Sequence, residues 1–421
     1  MSFKIKDISS KLDIPASTIR YWQEKFSEFI QPKRTNGGQR RYSNNDLRVL
    51  ANIKGLVYGQ KKTIAEAKKI IKAEISGSKS MDWSDKTILL TGGTGSFGKH
   101  FCRIMLEKYN PKAIRIYSRD ELKQHNMRFD FNDDDRLRFF IGDVRDGERL
   151  HRAMAGVDVV VHAAALKQVP ACEYNPFEAV KTNVHGAQNV IDAAIDTGVK
   201  KVVALSTDKA VNPVNLYGAT KLCSDKLFVQ GNAYVGSKKT MFSCVRYGNV
   251  IGSRGSVVPL FMKQKPSGVL TVTDKRMTRF WITLDQAVEL VLKAFKYMEG
   301  GEIFVPRIPS MKITDLARAI GPECEIKSIG IRPGEKLHES LTGEDEGRNT
   351  LIYKDMYVIM PSFPWWNRKN YSEAKELPEN FIYASDTNDQ WLSVEELRQI
   401  IFGDKPSERQ TKKPELNAVN E

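Results

Sequence analysis

The stretch TILLTGGTGSFGKH, residues 87–100, decides the fold of most of this chain. Its apolar start, Thr87–Leu90, predicts a buried β-strand, and the glycine-rich turn leads into a predicted helix from Phe97 to about Lys108. Glycines let the backbone approach a pyrophosphate at the N-terminus of a helix, where unpaired N–H groups favour anions. A strand, a glycine loop and a helix in this order therefore predict a dinucleotide site.

Apolar strands continue to alternate with helices after this loop. The second, third and fourth predicted strands are Ala113–Tyr117, Arg138–Ile141 and Val157–His162. Strands that alternate with helices over this length predict an α/β fold with a doubly wound parallel sheet of the Rossmann type. We expect a smaller substrate-binding part, at about residues 246–345, to be interleaved with this sheet.

The residues at the strand ends predict the type of cofactor. About 20 residues after the glycine loop, NAD-binding chains place an acid that binds the ribose 2′-OH. This chain has Ser118-Arg119 there, which suits a 2′-phosphate and predicts NADP, while the adjoining Asp120 leaves NAD open as an alternative. The predicted cofactor-binding residues are Gly92, Thr94, Gly95, Ser96, Phe97, Gly98, Ser118, Arg119, Lys123, Asp143, Val144, Ala163, Lys167, Tyr217 and Lys221.

The stretch STDKAVNPVNLYGATK, Ser206–Lys221, contains the predicted chemistry. Tyr217 and Lys221 share one helix face, so the ammonium should lower the phenol pKa and let Tyr217 take a proton from a substrate hydroxyl. Asp208 and Lys209 add an acid and an amine at the end of the fifth strand. An elimination needs both, whereas a simple dehydrogenase needs neither. The predicted catalytic residues are Thr207, Asp208, Lys209, Tyr217 and Lys221.

Several long segments together resemble one enzyme family. The glycine loop and the YxxxK pattern are similar to those of extended short-chain dehydrogenases/reductases, and the wider pattern resembles the C-5-inverting UDP-N-acetylglucosamine 4,6-dehydratases. The matching segments are SRDELKQ (Ser118–Gln124), GDVRD (Gly142–Asp146), AAALKQVP (Ala163–Pro170), STDKAVNPVNLYGATKLCSDKLF (Ser206–Phe228), RYGNVIGSRGSVVP (Arg246–Pro259), RMTRFWIT (Arg276–Thr283) and IRPGEKLHE (Ile331–Glu339).

This resemblance implies a reaction and a set of roles. Oxidation at C-4 by NADP is followed by loss of water across C-5 and C-6, return of hydride to C-6, and protonation of C-5 from the opposite face. The product is a 4-keto-6-deoxy-L-arabino sugar on the path to pseudaminic acid. The implied roles are Tyr217 as base at O-4, Lys209 as base at C-5, Asp208 as acid at O-6 and Lys221 at the nicotinamide ribose. The candidates for binding UDP-N-acetylglucosamine are Lys167, Asn249, Arg254, Arg332 and Glu335.

Two other functions remain open for this part of the chain. A UDP-sugar 4-epimerase would share Tyr217 and Lys221, although epimerisation needs no acid for a C-6 hydroxyl. A transcriptional regulator could instead use the fold to sense a nucleotide sugar or NADP. The Asp208-Lys209 pair disfavours both, and its own alternative explanation is an exposed ion pair in a loop.

The positive charge of the chain is concentrated at its start. The formal net charge is +14, of which residues 1–80, with 17 Lys/Arg and 7 Asp/Glu, supply +10. A basic block of this kind favours a polyanionic partner. Ile5, Ile8 and Leu12 recur at helical spacing, and Pro15 suits the start of a second helix. With a basic hairpin around Gly37-Gly38, these features predict an α-helical winged helix-turn-helix.

The same region resembles the DNA-binding domain of MerR-type transcriptional regulators. The resemblance depends on IRYW (Ile19–Trp22) and GGQRRYS (Gly37–Ser43) and implies a DNA partner. The alternative is a small solvated helical domain whose charge serves solubility or protein contacts. The predicted DNA-contacting residues are Ser17, Thr18, Arg20, Tyr21, Arg34, Arg40 and Arg41.

Composition and spacing complete the predicted organisation. The five cysteines are widely spaced and no metal-binding pattern is present, so we expect neither disulfides nor a metal. No apolar stretch approaches the ~20 residues of a membrane span, and we expect a cytoplasmic homo-oligomer. The predicted parts are a winged helix-turn-helix at 1–75, a linker at 76–82, the Rossmann domain at 83–365, a C-terminal packing segment at 366–402 and a disordered tail at 403–421.

Overall fold

A computed structural model describes residues 2–34, 38–59, 61–76, 81–251, 257–363 and 371–403. The chain divides into two compact units, Met1–Met81 and Asp82–Glu421. Most of the predicted linker and all but the first residue of the predicted tail lie outside the described residues.

The first unit is a small helical domain with a three-stranded sheet. Its elements are β1 (Ser2–Phe3), α1 (Ile5–Leu12), α2 (Ala16–Lys25), β2 (Lys33–Arg34), β3 (Arg40–Ser43), α3 (Asn44–Lys54) and α4 (Ile64–Ser76). The central strand β3 pairs antiparallel with β1 and with β2. Ser43 caps α3, because its hydroxyl accepts the N–H of Asp46. Two helices around a tight turn, followed by a hairpin, confirm the predicted helix-turn-helix.

The second unit is built on strands and helices that alternate as predicted. Its strands are β4 (Thr87–Thr91), β5 (Ala113–Ser118), β6 (Leu137–Ile141), β7 (Val159–His162), β8 (Lys201–Leu205), β9 (Met241–Val245), β10 (Asn249–Val250), β11 (Val269–Val272), β12 (Thr278–Ile282), β13 (Ile303–Pro306), β14 (Ser310–Lys312), β15 (Glu325–Ser328), β16 (Ser340–Thr342), β17 (Thr350–Tyr353), β18 (Met356–Ile359), β19 (Lys375–Glu376) and β20 (Tyr383–Ala384). Its helices are α5 (Ser96–Ile104), α6 (Glu121–Asp130), α7 (Gly147–Met154), α8 (Val169–Tyr174), α9 (Pro176–Val180), α10 (Gly186–Thr197), α11 (Leu216–Gly231), α12 (Val257–Gln264), α13 (Leu284–Tyr297), α14 (Ile313–Ile320), α15 (Glu344–Gly347) and α16 (Val394–Phe402).

Ten of these strands form one sheet in the order β19-β17-β18-β13-β9-β8-β7-β4-β5-β6. From β13 to β6 the neighbouring strands run parallel, while β17, β18 and β19 extend the sheet antiparallel. The chain moves outward from β4 in one direction and then restarts at β7 in the other. This confirms the doubly wound fold, and ligands of such sheets bind at the carboxyl ends of strands where the direction changes.

A smaller part lies beside the large sheet in the second unit. It contains the sheets β10-β12-β14, β11-β15 and β16-β20 and its own apolar cluster, which includes Phe261, Leu270 and Leu316. Leu397 of the last helix, α16, is buried in the same cluster. The C-terminal segment therefore packs on this smaller part.

Membrane spans and metal sites are absent from the described ranges. No helix there combines the length and the apolar character that crossing a bilayer requires. No group of three or more His, Cys, Asp and Glu side chains in those ranges could hold a metal ion.

Candidate active site

The glycine loop has the shape that a dinucleotide requires. Gly92 has φ +66°, and a Cβ there would lie 2.9 Å from the backbone of Ala163 and Ala164. Helix α5 begins at Ser96 after Gly95, which provides no side-chain cap for its first N–H groups. Because those donors face the carboxyl ends of β4 and β7, the predicted residues Gly92–Gly98 and Ala163 fit a bound pyrophosphate.

The residues predicted to bind the adenosine half of the cofactor form ion pairs with neighbouring acidic side chains. Arg119, 55% exposed, places Nη1 3.6 Å from a carboxylate oxygen of Asp143, and Lys123 places Nζ 2.6 Å from Asp120. Partial burial acts to raise the pKa of Asp143, but hydrogen bonds from Arg145 and the nearby charge of Arg119 lower it overall. Asp143 therefore has two cationic partners within the chain, Arg119 and Arg145.

The predicted acid and amine meet in a short 3₁₀ turn, Asp208–Ala210, directly after β8. Oδ1 of Asp208 accepts a hydrogen bond from the Thr207 hydroxyl at 2.8 Å and from Lys209 Nζ at 3.0 Å. Asp208 is only 1% exposed, and its other oxygen, Oδ2, has no hydrogen-bond partner within the described part of the chain. An unpaired buried carboxylate oxygen is costly, and a ligand hydroxyl would satisfy it.

The neighbouring helix α11 contains Tyr217 and Lys221, and Tyr217 lies near the same turn. The Asn215 side chain caps α11 by accepting the N–H of Gly218 at 2.8 Å. A Cβ on Gly218 would lie 2.1 Å from the carbonyl oxygen of Lys209, so only glycine allows this approach. The Tyr217 hydroxyl is hydrogen-bonded to the Thr207 side chain.

The pKa of Tyr217 differs from the sequence prediction, which was wrong in both direction and cause. Burial raises this pKa to about 12, while the charge of Lys209 and the hydrogen bond with Thr207 act to lower it. The ammonium that acts on the phenol is thus Lys209 rather than Lys221. Lys221 is itself buried, with Nζ 3.5 Å from the Ser224 hydroxyl, and burial lowers its own pKa.

Lys209 has a second acidic neighbour that sequence reasoning missed. Glu339 Oε1 lies 3.5 Å from Lys209 Nζ, and Glu339 is only 2% exposed. Burial acts to lower the pKa of Lys209, but Asp208 and Glu339 raise it well above its usual range. Glu339 belongs to the IRPGEKLHE segment, and no local pattern marks it, because its partner lies far away in the sequence.

Among the predicted substrate-binding residues, Lys167 interacts electrostatically with this pair. Lys167 follows β7, and burial together with the charge of Lys209 lowers its pKa, which places it near the pair. Asn249 in β10 has a buried Oδ1 without a hydrogen-bond partner among the residues described. Arg332 is exposed and lies 4.0 Å from Glu335. Arg254 lies outside the described residues.

Most of the predicted DNA-contacting side chains of the first unit are accessible. Ser17 and Arg20 are exposed on α2, Tyr21 is 47% exposed, and Thr18 is half-buried. Arg40 is exposed on β3, and Arg41 is half-buried. Arg34 pairs with Arg40 across the hairpin, but its side chain lies outside the described set.

One buried residue links the helix to the hairpin in this unit. Burial raises the pKa of Tyr42, while the charges of Arg40 and Arg20 act to lower it. Its hydroxyl donates to Gln23 Oε1 at 2.9 Å. Arg20 of α2 and Arg40 of β3 therefore both lie near enough to Tyr42 to act on its phenol.

Family models match both units. Residues 88–361 match the model described as polysaccharide biosynthesis protein, and residues 3–74 match the model described as MerR HTH family regulatory protein.

Curated relatives and a solved structure match the second unit. The UDP-N-acetylglucosamine 4,6-dehydratase (inverting) of Campylobacter jejuni subsp. jejuni serotype O:2 is 55% identical over 328 residues, which cover 76% of this chain and 98% of that protein. The UDP-glucose 4-epimerase of Rickettsia conorii is 43% identical, with 76% and 96% covered. The X-ray structure of Pen from Bacillus thuringiensis is similar with a TM-score of 0.69 and 41% identity, covering 76% of this chain and 99% of that one.

Proposed function

We propose, for a chain that belongs to the polysaccharide biosynthesis protein family, that its second unit dehydrates UDP-N-acetylglucosamine and inverts C-5. The product is the UDP-4-keto-6-deoxy-L-arabino sugar, the first intermediate toward pseudaminic acid. The observation that supports this most is the ion pair of the buried Asp208 with the partly exposed Lys209 beside Tyr217. Elimination of water needs an acid and a base at that place, whereas oxidation at C-4 alone needs neither.

NADP is the cofactor in this proposal. The glycine loop and the N-terminus of α5 would hold its pyrophosphate, and Ser118, Arg119 and Lys123 would meet its 2′-phosphate. When bound, the nicotinamide supplies a hydride acceptor for C-4 and a hydride donor for C-6. Lys221 would bind the nicotinamide ribose.

Tyr217 acts at O-4 of the sugar. Its phenolate accepts the O-4 proton while C-4 is oxidised. With a pKa of about 12 the phenol is protonated at neutral pH, so the charge of Lys209 and the Thr207 hydrogen bond are needed to make its phenolate accessible. Thr207 thereby connects the O-4 base with Asp208.

Asp208 and Lys209 share one proton between them. In the resting pair it stays on Lys209, whose pKa is raised. Transfer across the 3.0 Å contact to Oδ1 leaves a neutral amine and a carboxylic acid, and no proton enters or leaves. The amine takes the C-5 proton, which the C-4 ketone has made acidic. The acid protonates O-6, whose bond to C-6 breaks to release water, and the pair regains its starting charges.

The predicted substrate residues serve the uridine diphosphate and the sugar in this proposal. Asn249 and Lys167 would bind polar groups near the pair, since one has an unpaired buried oxygen and the other lies near Lys209. Arg254, Arg332 and Glu335 would lie along the nucleotide, where a guanidinium fits a diphosphate.

The dehydratase proposal is tested by mass spectrometry of the nucleotide sugar after incubation with UDP-N-acetylglucosamine and NADP+. We expect a product lighter by one water that reacts as a ketone. A product of unchanged mass would contradict the proposal.

A 4-epimerase is the second candidate, because a relative at 43% identity has that name. It would use Tyr217 and Lys221 and leave the Asp208–Lys209 pair without a role. An equilibrium mixture of gluco and galacto sugars would favour this candidate.

We propose that the first unit binds DNA through α2 and the β2–β3 hairpin. The support is the match to the MerR model over residues 3–74, the +10 charge of residues 1–80 and the exposed cations Arg20 and Arg40. Phosphate contacts dominate such binding and make it sensitive to salt. A regulator that senses a nucleotide sugar with its second unit is compatible with this proposal.

A salt-dependent gel-shift assay on the full chain tests DNA binding. Deletion of residues 1–80 should abolish the shift, and Arg40→Ala should weaken it while lowering the salt slope by about 1. Lys112→Ala, an exposed cation of the second unit, is the control and should bind as the parent does. Equal binding by the parent and the deletion would contradict the proposal.

We further propose a cytoplasmic homo-oligomer. The five cysteines, Cys102, Cys172, Cys223, Cys244 and Cys324, are free thiols, which suits a reducing compartment. Analytical ultracentrifugation of the full chain measures the oligomeric state, and a single monomeric species would contradict that part.

A further inference from the structure

The segment Ile331–Glu339 places a buried carboxylate at the catalytic turn, and the proposed reaction steps give that carboxylate no role. The Asn215 side chain donates to the Gly334 carbonyl at 2.8 Å and so fixes this segment to the start of α11. The N–H of Glu339 donates to the Ser385 hydroxyl at 2.9 Å. These two contacts hold the backbone at Gly334 and at Glu339 itself.

Glu339 is surrounded by cations on different elements. Lys209 Nζ lies 3.5 Å from Oε1, Lys336 Nζ lies 3.6 Å from Oε2, and Arg279 Nε lies 4.0 Å from Oε1. Oε2 has no hydrogen-bond partner inside the described ranges. A buried carboxylate is stable only when charges of this kind compensate it. Without its charge, Lys336 and Arg279 would repel the Lys209 ammonium.

Lys209 is therefore held between two acids. Asp208 Oδ1 is 3.0 Å from Nζ on one side, and Glu339 Oε1 is 3.5 Å away on another. An ammonium has three N–H groups, so two acidic partners leave one for a substrate. A lysine that rotated freely would not hold this N–H group in a fixed direction.

We propose that Glu339 is a positioning residue for the dehydration step, which holds Lys209 in the orientation that removes the C-5 proton. This inference depends on the proposed dehydratase function. Glu339 acts through Lys209, which removes the C-5 proton and also lowers the pKa of Tyr217. Its removal should therefore slow elimination more than hydride transfer from C-4.

Glu339→Gln tests this role because it removes the charge and keeps the shape. We expect release of water to slow about 100-fold, which is the size of effect that loss of a general acid or base produces. The KM for the nucleotide sugar should not change. Because C-4 oxidation continues, reduced nicotinamide should accumulate in a single turnover. In heavy water, deuterium should enter C-5 at the same reduced rate as water is released.

Glu344→Gln is the matched control. It is the same change on an exposed residue at the start of α15, and it should release water as the parent does. Loss of C-4 oxidation and of elimination by the same factor in Glu339→Gln would mean a structural role and overturn the proposal. Elimination at the control rate would also overturn it.

Two further measurements keep the outcome unambiguous. If Glu339→Gln fails to fold, Glu339→Asp, which keeps the charge on a shorter side chain, replaces it. Elimination should again fall more than C-4 oxidation, and an equal fall would overturn the proposal. The parent is measured first: if it releases no water from UDP-N-acetylglucosamine, the dehydratase function fails, and that result is separate from any effect of Glu339.

Discussion

At the scale of single residues, the site depends on a short series of hydrogen bonds and ion pairs. Tyr217 contacts Thr207, Thr207 donates to Asp208, and Lys209 lies between Asp208 and Glu339. The charges of Asp208 and Glu339 raise the pKa of Lys209, and the charge of Lys209 acts to lower the pKa of Tyr217. Sequence reasoning found the first four, because they lie within one short motif, but could not find Glu339.

Thr207→Val should move the pH dependence of C-4 oxidation to higher pH. The Thr207 hydrogen bond lowers the pKa of Tyr217, so its loss raises that pKa further above the parent value of about 12. Since the phenolate is the active form, the rate at neutral pH should fall about tenfold each time the pKa of Tyr217 rises by one. Single-turnover reduction of the nicotinamide across a pH series measures this. An unchanged profile, or one displaced to lower pH, would show that Thr207 does not act on Tyr217.

At the scale of elements, the catalytic turn and helix α11 are positioned by close backbone contact. Gly218 lets the start of α11 lie against the Lys209 carbonyl. The strands and the glycine loop were predictable, because each depends on neighbouring residues in the sequence. The antiparallel edge β17–β19 and the surface on which α16 packs were not, because they depend on contacts between distant segments.

Gly218→Ala should destabilise the second unit and disturb catalysis together. The added Cβ would lie 2.1 Å from the Lys209 carbonyl oxygen, and overpacking of this kind costs about 1–3 kcal/mol. Gly147→Ala is the control, since its Cβ would make only an ordinary contact at 3.6 Å. Denaturant unfolding measures the loss of stability, and the rate of water release measures the loss of catalysis. Equal stability of the two variants would contradict the close approach.

At the scale of the whole molecule, the second unit is held together by a buried charge network. Arg246 is fully buried at the end of β9, with Asp225 of α11 at 3.3 Å and Glu346 of α15 at 2.8 Å. It thereby joins the catalytic helix to a segment beyond Glu339. Burial acts to raise the pKa of Glu346, but the charge of Arg246 lowers it overall.

Asp225→Asn should be strongly destabilising, because it leaves Arg246 without one of its two acids. Breaking a buried ion pair on one side costs about 3–5 kcal/mol. Asp315→Asn, whose partner Arg318 is largely exposed, is the control and should change the free energy of unfolding by no more than about 1 kcal/mol. Denaturant unfolding of the full chain measures the difference. Similar changes in the free energy of unfolding for both variants would show that the network adds little to stability.

Most of the net positive charge of the chain lies in the unit that is proposed to bind DNA. Residues 1–80 supply +10 of the +14, and none of the described catalytic contacts involves them. The basic character of the chain therefore supports DNA binding by the first unit rather than the chemistry of the second.

Incubation with UDP-N-acetylglucosamine in heavy water is the most direct test of the proposed dehydration. We expect a 4-keto-6-deoxy product that has lost one water, has the L-arabino configuration and contains deuterium at C-5. A mixture of gluco and galacto sugars with no loss of water would contradict it.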